Sequence, residues 1–110
     1  MEVKLREAGN ILVVSICGRL DTLSAPSFEK MVESGIAETI GKIILDLSDL
    51  EYVSSAGLRS FLVLGQKSKA QGGCVVCCSA SGLVKKVLEI SKFCEILPMF
   101  NSVEDALRHN

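Results

Sequence analysis

The sequence is poor in aromatics and nearly devoid of histidine: no Trp, one Tyr, four Phe and one His in 110 residues. It also lacks any block of Lys or Arg. Stacking rings and a basic stripe are the usual marks of a nucleic-acid binder, so that class is set aside. Twelve basic residues face thirteen acidic ones, for a formal net charge of −1. The lone histidine, His109, sits next to the last residue; a serine nucleophile elsewhere in the chain has no base to call on. No cluster of histidines and carboxylates points to a metal, and no cofactor is implied. Long hydrophobic runs are missing too. Runs such as Ile11–Val14, Ile43–Leu45 and Phe61–Leu64 fall far short of the roughly 18 residues of a membrane span. The first residues, Met1 to Glu7, alternate apolar and charged side chains, which is not a signal-peptide pattern, so a cytoplasmic location is expected.

What is present suits one packed domain over residues 1–110. Hydrophobic residues make up 48% of the chain, too many for intrinsic disorder. A chain of this size buries about two-thirds of its unfolded surface. Five cysteines without an export signal read as reduced thiols. Cys74-Val75-Val76-Cys77-Cys78 contains a C-x-x-C spacing, but the segment reads as a buried strand. On a strand Cys74 and Cys78 share one face and Cys77 takes the other, so the pair does not converge. The cysteines are expected to be small buried hydrophobes rather than metal ligands or a redox pair.

Val3 and Leu5 alternate with charges, Ala8-Gly9-Asn10 turns the chain, and Ile11–Ile16 is β-branched, which predicts a hairpin. Gly18–Leu23 reads as a loop, and Ser24-Ala25-Pro26 as a helix start with a capping hydroxyl. Phe28, Met31, Val32 and Ile36 mark that helix's apolar face, and Gly41 its end. Ile43–Leu47 is a short buried strand and Ser48–Ser55 a loop. A second helix runs from Ala56 toward Ala70, with Leu58, Phe61, Leu62 and Gly65 on one side, and Gly72-Gly73 closes it. After the cysteine strand, Ser81-Gly82 opens a third helix with Leu83, Val84, Val87, Leu88 and Ser91 on one face. Ile96-Leu97-Pro98 suits an edge strand, and Ser102-Val103-Glu104-Asp105 begins a last short helix. The order β-β-α-β-α-β-α-β-α predicts an α/β domain: a mixed, mostly parallel sheet with an N-terminal β-hairpin and about four helices. Functional residues in such sheets gather beyond the carboxyl ends of the strands. If the strands before Gly18–Leu23 and Ser48–Ser55 are parallel neighbours, Asp21, Asp49 and Ser55 converge.

Ser54 and Ser55 stand where a loop becomes a helix. Serine there is a good N-cap, worth about 1 kcal/mol. The same position presents free N–H groups and partial positive charge, which also suit a phosphate carried on serine. Phosphorylation would add about −1.5 to −2 charges and three acceptor oxygens beside Asp21, Asp49 and Glu51. Val53-Ser54-Ser55-Ala56-Gly57 lacks the first glycine of a nucleophile elbow. Gly35 and Gly41-Lys42 have the wrong spacing for a phosphate loop and run from helix to strand, against the required order.

Two segments resemble the anti-anti-sigma factors, or anti-sigma factor antagonists, which are single STAS domains. Gly18-Arg19-Leu20-Asp21-Thr22-Leu23-Ser24-Ala25-Pro26 is similar to the family's segment leading into the first helix. Asp46-Leu47-Ser48, followed by Tyr52-Val53-Ser54-Ser55-Ala56-Gly57-Leu58-Arg59, is similar to its phosphorylation-site segment. The resemblance implies a non-enzymatic regulator that switches partners. Its unphosphorylated form binds an anti-sigma factor that is also a serine kinase and so frees a sigma factor. Phosphorylation releases it, and a PP2C-type phosphatase resets it. The modified hydroxyl stands two positions before the glycine, which is Ser55 here, with Ser54 as the alternative. Some members carry aspartate where this chain has Ser54, and serine where it has Ala56. The implied partner surface includes Leu20, Asp21, Thr22, Leu23, Ser54, Leu58 and Arg59, with Asp21 in partner contact or positioning the site. The resemblance leaves an alternative, since STAS-like domains also serve as accessory parts of membrane transporters or signalling scaffolds.

Overall fold

The computed structural model describes residues 1–36 and 40–109. β1 (Glu2–Ala8) and β2 (Ile11–Leu20) form the antiparallel hairpin, turning through Gly9 at φ +62°. α1 (Ala25–Gly35) leads to β3 (Lys42–Asp46), and β4 (Leu50–Val53) follows directly. α2 (Ser55–Ala70), β5 (Cys74–Cys78) and α3 (Gly82–Ile90) come next. A 3-10 turn at Phe93–Glu95, β6 (Met99–Phe100) and α4 (Val103–Arg108) complete the order. The sheet runs β1-β2-β3-β5-β6, with β4 paired to β2. Every pairing except β1–β2 is parallel. This is the mixed, mostly parallel α/β sheet that the element order predicts.

Strand alternation divides the sheet into two unequal faces. Leu12, Val14, Ile16, Ile43, Leu45, Val75 and Cys77 point to the face covered by α1, α2 and α3. Phe28 and Phe61 meet edge-on there at 5.7 Å, and Phe61 meets Phe93 at 6.2 Å, the geometry that aromatic quadrupoles favour. On the other face Val13, Ile44, Val76 and Cys78 pack under Ala106 of α4. Ser102 caps α4 by accepting from the Asp105 N–H at 3.1 Å. At its far end the Lys42 ammonium donates to the carbonyls of Ala106, at 2.6 Å, and His109, a cation where helix carbonyls are unsatisfied.

Several local expectations are corrected. β2 continues through Gly18 to Leu20, past the predicted loop boundary, with a bulge between Gly18 and Arg19. Gly18 takes φ +94°, a conformation that costs glycine little. Residues 50–53, read as loop, are β4, which pairs with this extension. Ile96-Leu97-Pro98 is not the edge strand; Met99–Phe100 is, and it hydrogen-bonds β5. α1 ends at Gly35, because Ile36 is already extended at φ −87° and ψ 113°. The predicted end at Gly41 is therefore too late, and residues 37–39 of that stretch lie outside those described. Met31 and Leu83, assigned to apolar faces, are 45% and 55% exposed.

The cysteines split rather than sharing one fate. Cys77 and Cys78 are buried, while Cys17, Cys74 and Cys94 are exposed. Cys77 faces the helix-covered side and Cys78 the α4 side. Burial, with a smaller contribution from the neighbouring Cys78, pushes the Cys77 thiol up to about 12, far from a reactive thiolate at neutral pH.

Phe61 is fully buried between Phe28 and Phe93. Phe61→Ala should cost about 3–5 kcal/mol, read as a lower urea midpoint. An unchanged midpoint would contradict this placement of the core.

Candidate functional site

The site forms where β2, β4 and α2 meet. β2 pairs with β3 along its first half and with β4 beyond it: Gly18 lies opposite Leu50, Arg19 opposite Tyr52 and Leu20 opposite Val53. The chain leaves β4 at Val53 and turns at once into α2. The Ser54 N–H donates to the Leu20 carbonyl at 2.9 Å, so the helix start is bound to the end of β2. Gly57 explains how close the approach is. A Cβ there would stand 2.8 Å from Val53 Cγ2 and 3.0 Å from both Leu20 Cγ and Leu20 O. Only a residue without a side chain seats α2 at this depth.

The two serines occupy different chemical situations. Ser54 is the N-cap, extended at φ −92° and ψ 175°, and its Oγ accepts from the Gly57 N–H at 3.3 Å. Ser55 is the first residue of α2 and is exposed. Among the described residues no group hydrogen-bonds its hydroxyl. The free N–H groups of the first turn and the positive end of the helix lie beneath it.

The loop from β2 to α1 flanks this pair. Asp21 does not project as a free carboxylate. Its Oδ1 accepts from the Leu23 N–H at 3.0 Å and the Ser24 N–H at 3.1 Å, with Ser24 Oγ also at 3.1 Å. The Ser24 backbone bond first, then the Ser24 hydroxyl, hold the Asp21 carboxyl below its ordinary value, and Arg19 lowers it further. The predicted Ser24 cap is corrected accordingly. Its hydroxyl makes no cap bond and instead reaches Asp21 and the Arg19 carbonyl. Asp21 ties the loop so that Thr22 and Leu23 are presented outward, and Leu23 is 90% exposed.

The other predicted residues sort by position. Leu20 is fully buried, which removes its side chain from any partner surface and puts it in the core. Leu58 is half-buried against that core. Arg59 is exposed and shares with Thr22 a shallow groove between the starts of α1 and α2. At the base of that groove Ser60 Oγ meets Glu29 Oε2 at 3.1 Å. Asp49 does not join Ser55. Its carbonyl accepts from the Gly18 N–H at 3.0 Å, at the opposite end of β4, four strand residues or about 13 Å away. Of the two aspartates, Asp21 is the one whose neighbour in the chain, Leu20, is bonded to the start of α2.

One feature of the site escaped the sequence reading. The Arg19 guanidinium lies 4.2 Å from the centre of the Tyr52 ring, a cation–π contact that holds the arginine at the surface beside the loop. It follows from the pairing of Arg19 with Tyr52 across β2 and β4, so a strand assigned at Leu50-Glu51-Tyr52-Val53 would have revealed it. Among the described residues, no group of three or more His, Cys, Asp or Glu is placed to hold a metal ion. No helix there is long and apolar enough to cross a membrane.

Comparison with known proteins places this geometry. The STAS domain family matches residues 2–106. BtrV of Bordetella bronchiseptica, which carries the name of an anti-sigma factor antagonist, is 30% identical over 106 residues, covering 96% of this chain and 91% of BtrV. Among solved structures, a protein of Thermotoga maritima described as an anti-sigma factor antagonist superposes with a TM-score of 0.85 at 21% identity, covering 96% of this chain and 91% of that one. The antagonist SpoIIAA in its unphosphorylated form gives 0.72 at 18% identity, covering 96% and 94%; at these identities the two structures speak for the fold. The chain belongs to the STAS domain family, among the members named anti-sigma factor antagonists.

Two measurements probe the site's construction. Gly57→Ala should destabilise by about 1–3 kcal/mol through overpacking, and Ser54→Ala by about 1 kcal/mol through loss of the cap. Denaturant titration showing neither loss would contradict the seating of α2. Asp21 gives a pH signature. Its folded pKa is depressed, so its stabilising contribution is complete above the unfolded carboxylate value of about 4 and is lost as pH falls through the lower folded value. Asp21→Asn should flatten the fall in melting temperature below about pH 4, and an unchanged acid profile would contradict the assignment.

Proposed function

We propose that this protein is an anti-sigma factor antagonist working by partner switching, with Ser55 as the phosphorylated residue. The observation that carries the reading is the difference between the two serines: Ser54 spends its hydroxyl on the helix cap, while Ser55 holds an exposed one with no hydrogen-bond partner among the described residues. Unphosphorylated, the protein binds an anti-sigma factor that is also a serine kinase, and a sigma factor is freed. The kinase transfers the ATP γ-phosphoryl group to Ser55, and a PP2C-type phosphatase removes it. The protein itself performs no catalysis, acts in the cytoplasm as one domain, and touches no nucleic acid.

The physical basis is electrostatic. A phosphate on the first residue of α2 meets the positive end of the helix, so the fold tolerates it. The partner, matched to a surface that carries a neutral Ser55 hydroxyl along with Leu23, Thr22 and Arg59, meets about two negative charges instead. Repulsion and desolvation amounting to about 3 kcal/mol weaken binding more than a hundredfold. The exposed Leu23 supplies apolar contact area, and Asp21 acts by holding its loop.

The test is a phosphorylation and binding assay with each serine kinase encoded in the same genome, the product being mapped by mass spectrometry. Phosphate is expected on Ser55, and none on Ser55→Ala. Ser54→Ala should still be phosphorylated, though less stable. Phosphate on Ser54 alone, or equal kinase binding by Ser55→Ala and Ser55→Asp, would overturn the assignment.

A further inference from the structure

A second site lies away from Ser55, at the other end of the same sheet edge. β5 sends its exit helix, α3, to the face that α1 and α2 also cover, whereas β6 sends α4 to the opposite face. Where neighbouring strands part in this way, a crevice opens beyond their carboxyl ends, and such switch points are where open α/β sheets bind ligands. The crevice is present as a cavity of about 230 Å³ between α3, the 3-10 turn and β6. That is below the roughly 300–1,000 Å³ of pockets for drug-sized molecules and suits a ligand smaller than those, of about ten heavy atoms.

The two connections that flank it in the chain each contain a left-handed residue. Among the described residues only Ser79 and Lys92 are non-glycine residues at positive φ, at 63° and 57°. Ser79 opens the β5–α3 connection, and Lys92 precedes the turn that carries Cys94. Lys92 stands just past the C-cap of α3, where helices commonly finish left-handed, and Ser79 precedes Ala80 of the cavity wall. Ser79 is held in place by its N–H donating to the Phe100 carbonyl at 3.0 Å.

The lining defines the ligand. Leu88, Met99 and Phe100 form the apolar floor, with Lys85, Glu89 and Asn101 at the rim. Lys85 and Glu89 are one turn apart on α3, with the lysine N-terminal, the weaker order for an intrahelical pair. Among the described residues neither takes part in an ion pair. Two opposite charges that do not satisfy each other, set beside an apolar floor, fit a small zwitterion with an apolar tail. We propose that the crevice binds a free α-amino acid with an apolar side chain: carboxylate on the Lys85 ammonium and Asn101 amide, ammonium on the Glu89 carboxylate, side chain on Leu88, Met99 and Phe100. This assignment is independent of the reading of Ser55.

The experiment uses the intact, isotope-labelled chain titrated with leucine, with isocaproate (leucine without its ammonium) and with isoamylamine (leucine without its carboxylate). Leucine should shift the amides of Lys85, Glu89 and Asn101 saturably, and each analogue should bind about tenfold or more weakly. Lys85→Ala and Glu89→Ala, both at exposed positions, should each weaken leucine binding by a similar factor. Leucine should also slow alkylation of Cys94, at the cavity wall, and leave the exposed Cys17 and Cys74 unchanged as internal references. The proposal is overturned by absence of saturable shifts with leucine, isoleucine and methionine. It is equally overturned by equal binding of all three leucine-derived compounds, which marks an apolar crevice only, or by leucine affinity unchanged in both variants.

Discussion

The backbone contact between the first turn of α2 and the ends of β2 and β4 is the constraint on which the site depends. The Ser54 N–H reaches the Leu20 carbonyl, and Gly57 lies where any Cβ would collide with Val53 and Leu20. No side chain separates helix from sheet here, so the position of Ser55 is fixed by main-chain geometry rather than by rotamers. Interiors packed at this density do not yield in small steps. A charge added to Ser55 is thus delivered at a set point on the surface, and its consequence falls on whatever surface faces it.

The same seat divides the work between adjacent, chemically identical residues. A helix start needs an acceptor for its orphan N–H groups, and Ser54 supplies it. Ser55, one step further on, has helical geometry, so its hydroxyl faces solvent above the helix end. The neighbouring loop follows the same logic in another form. Asp21 turns its carboxylate inward to the Leu23 and Ser24 N–H groups, and Leu23 is thereby left standing in solvent. A polar residue that resembles a contact in the sequence organises its loop instead, and an apolar residue beside it becomes the surface.

Much of this was legible in the sequence, and the remainder was hidden for identifiable reasons. The glycines after α2 and the β-branched runs of β2, β3 and β5 mark those elements in the sequence, though the buried face of α2 is Gly57, Ser60, Phe61, Leu64 and Ser68 rather than the side of Leu58, Leu62 and Gly65; the alternation of Cys77 and Cys78 follows from a strand's period of two. β4 was invisible because it has four residues and is a strand only through its pairing with the extension of β2, a non-local contact. Missing it also hid the Arg19–Tyr52 stack and let Asp49 seem to converge on Ser55. The family resemblance implies a surface role for Leu20; the extension of β2 through Leu20 turns its side chain into the core instead. Leu83 and Met31 fit their helical faces by spacing, but both stand largely exposed beside the buried Val84 and Val32.

The most direct measurement is the affinity of two forms of the protein, unmodified and quantitatively phosphorylated at Ser55, for the anti-sigma factor encoded in the same genome. Titration calorimetry on both forms, with circular dichroism to compare their folds, isolates the charge from any unfolding. The account predicts superimposable spectra and an affinity more than about a hundredfold weaker for the phosphorylated form. Equal affinities for the two forms, or a loss of helix on phosphorylation, would contradict it.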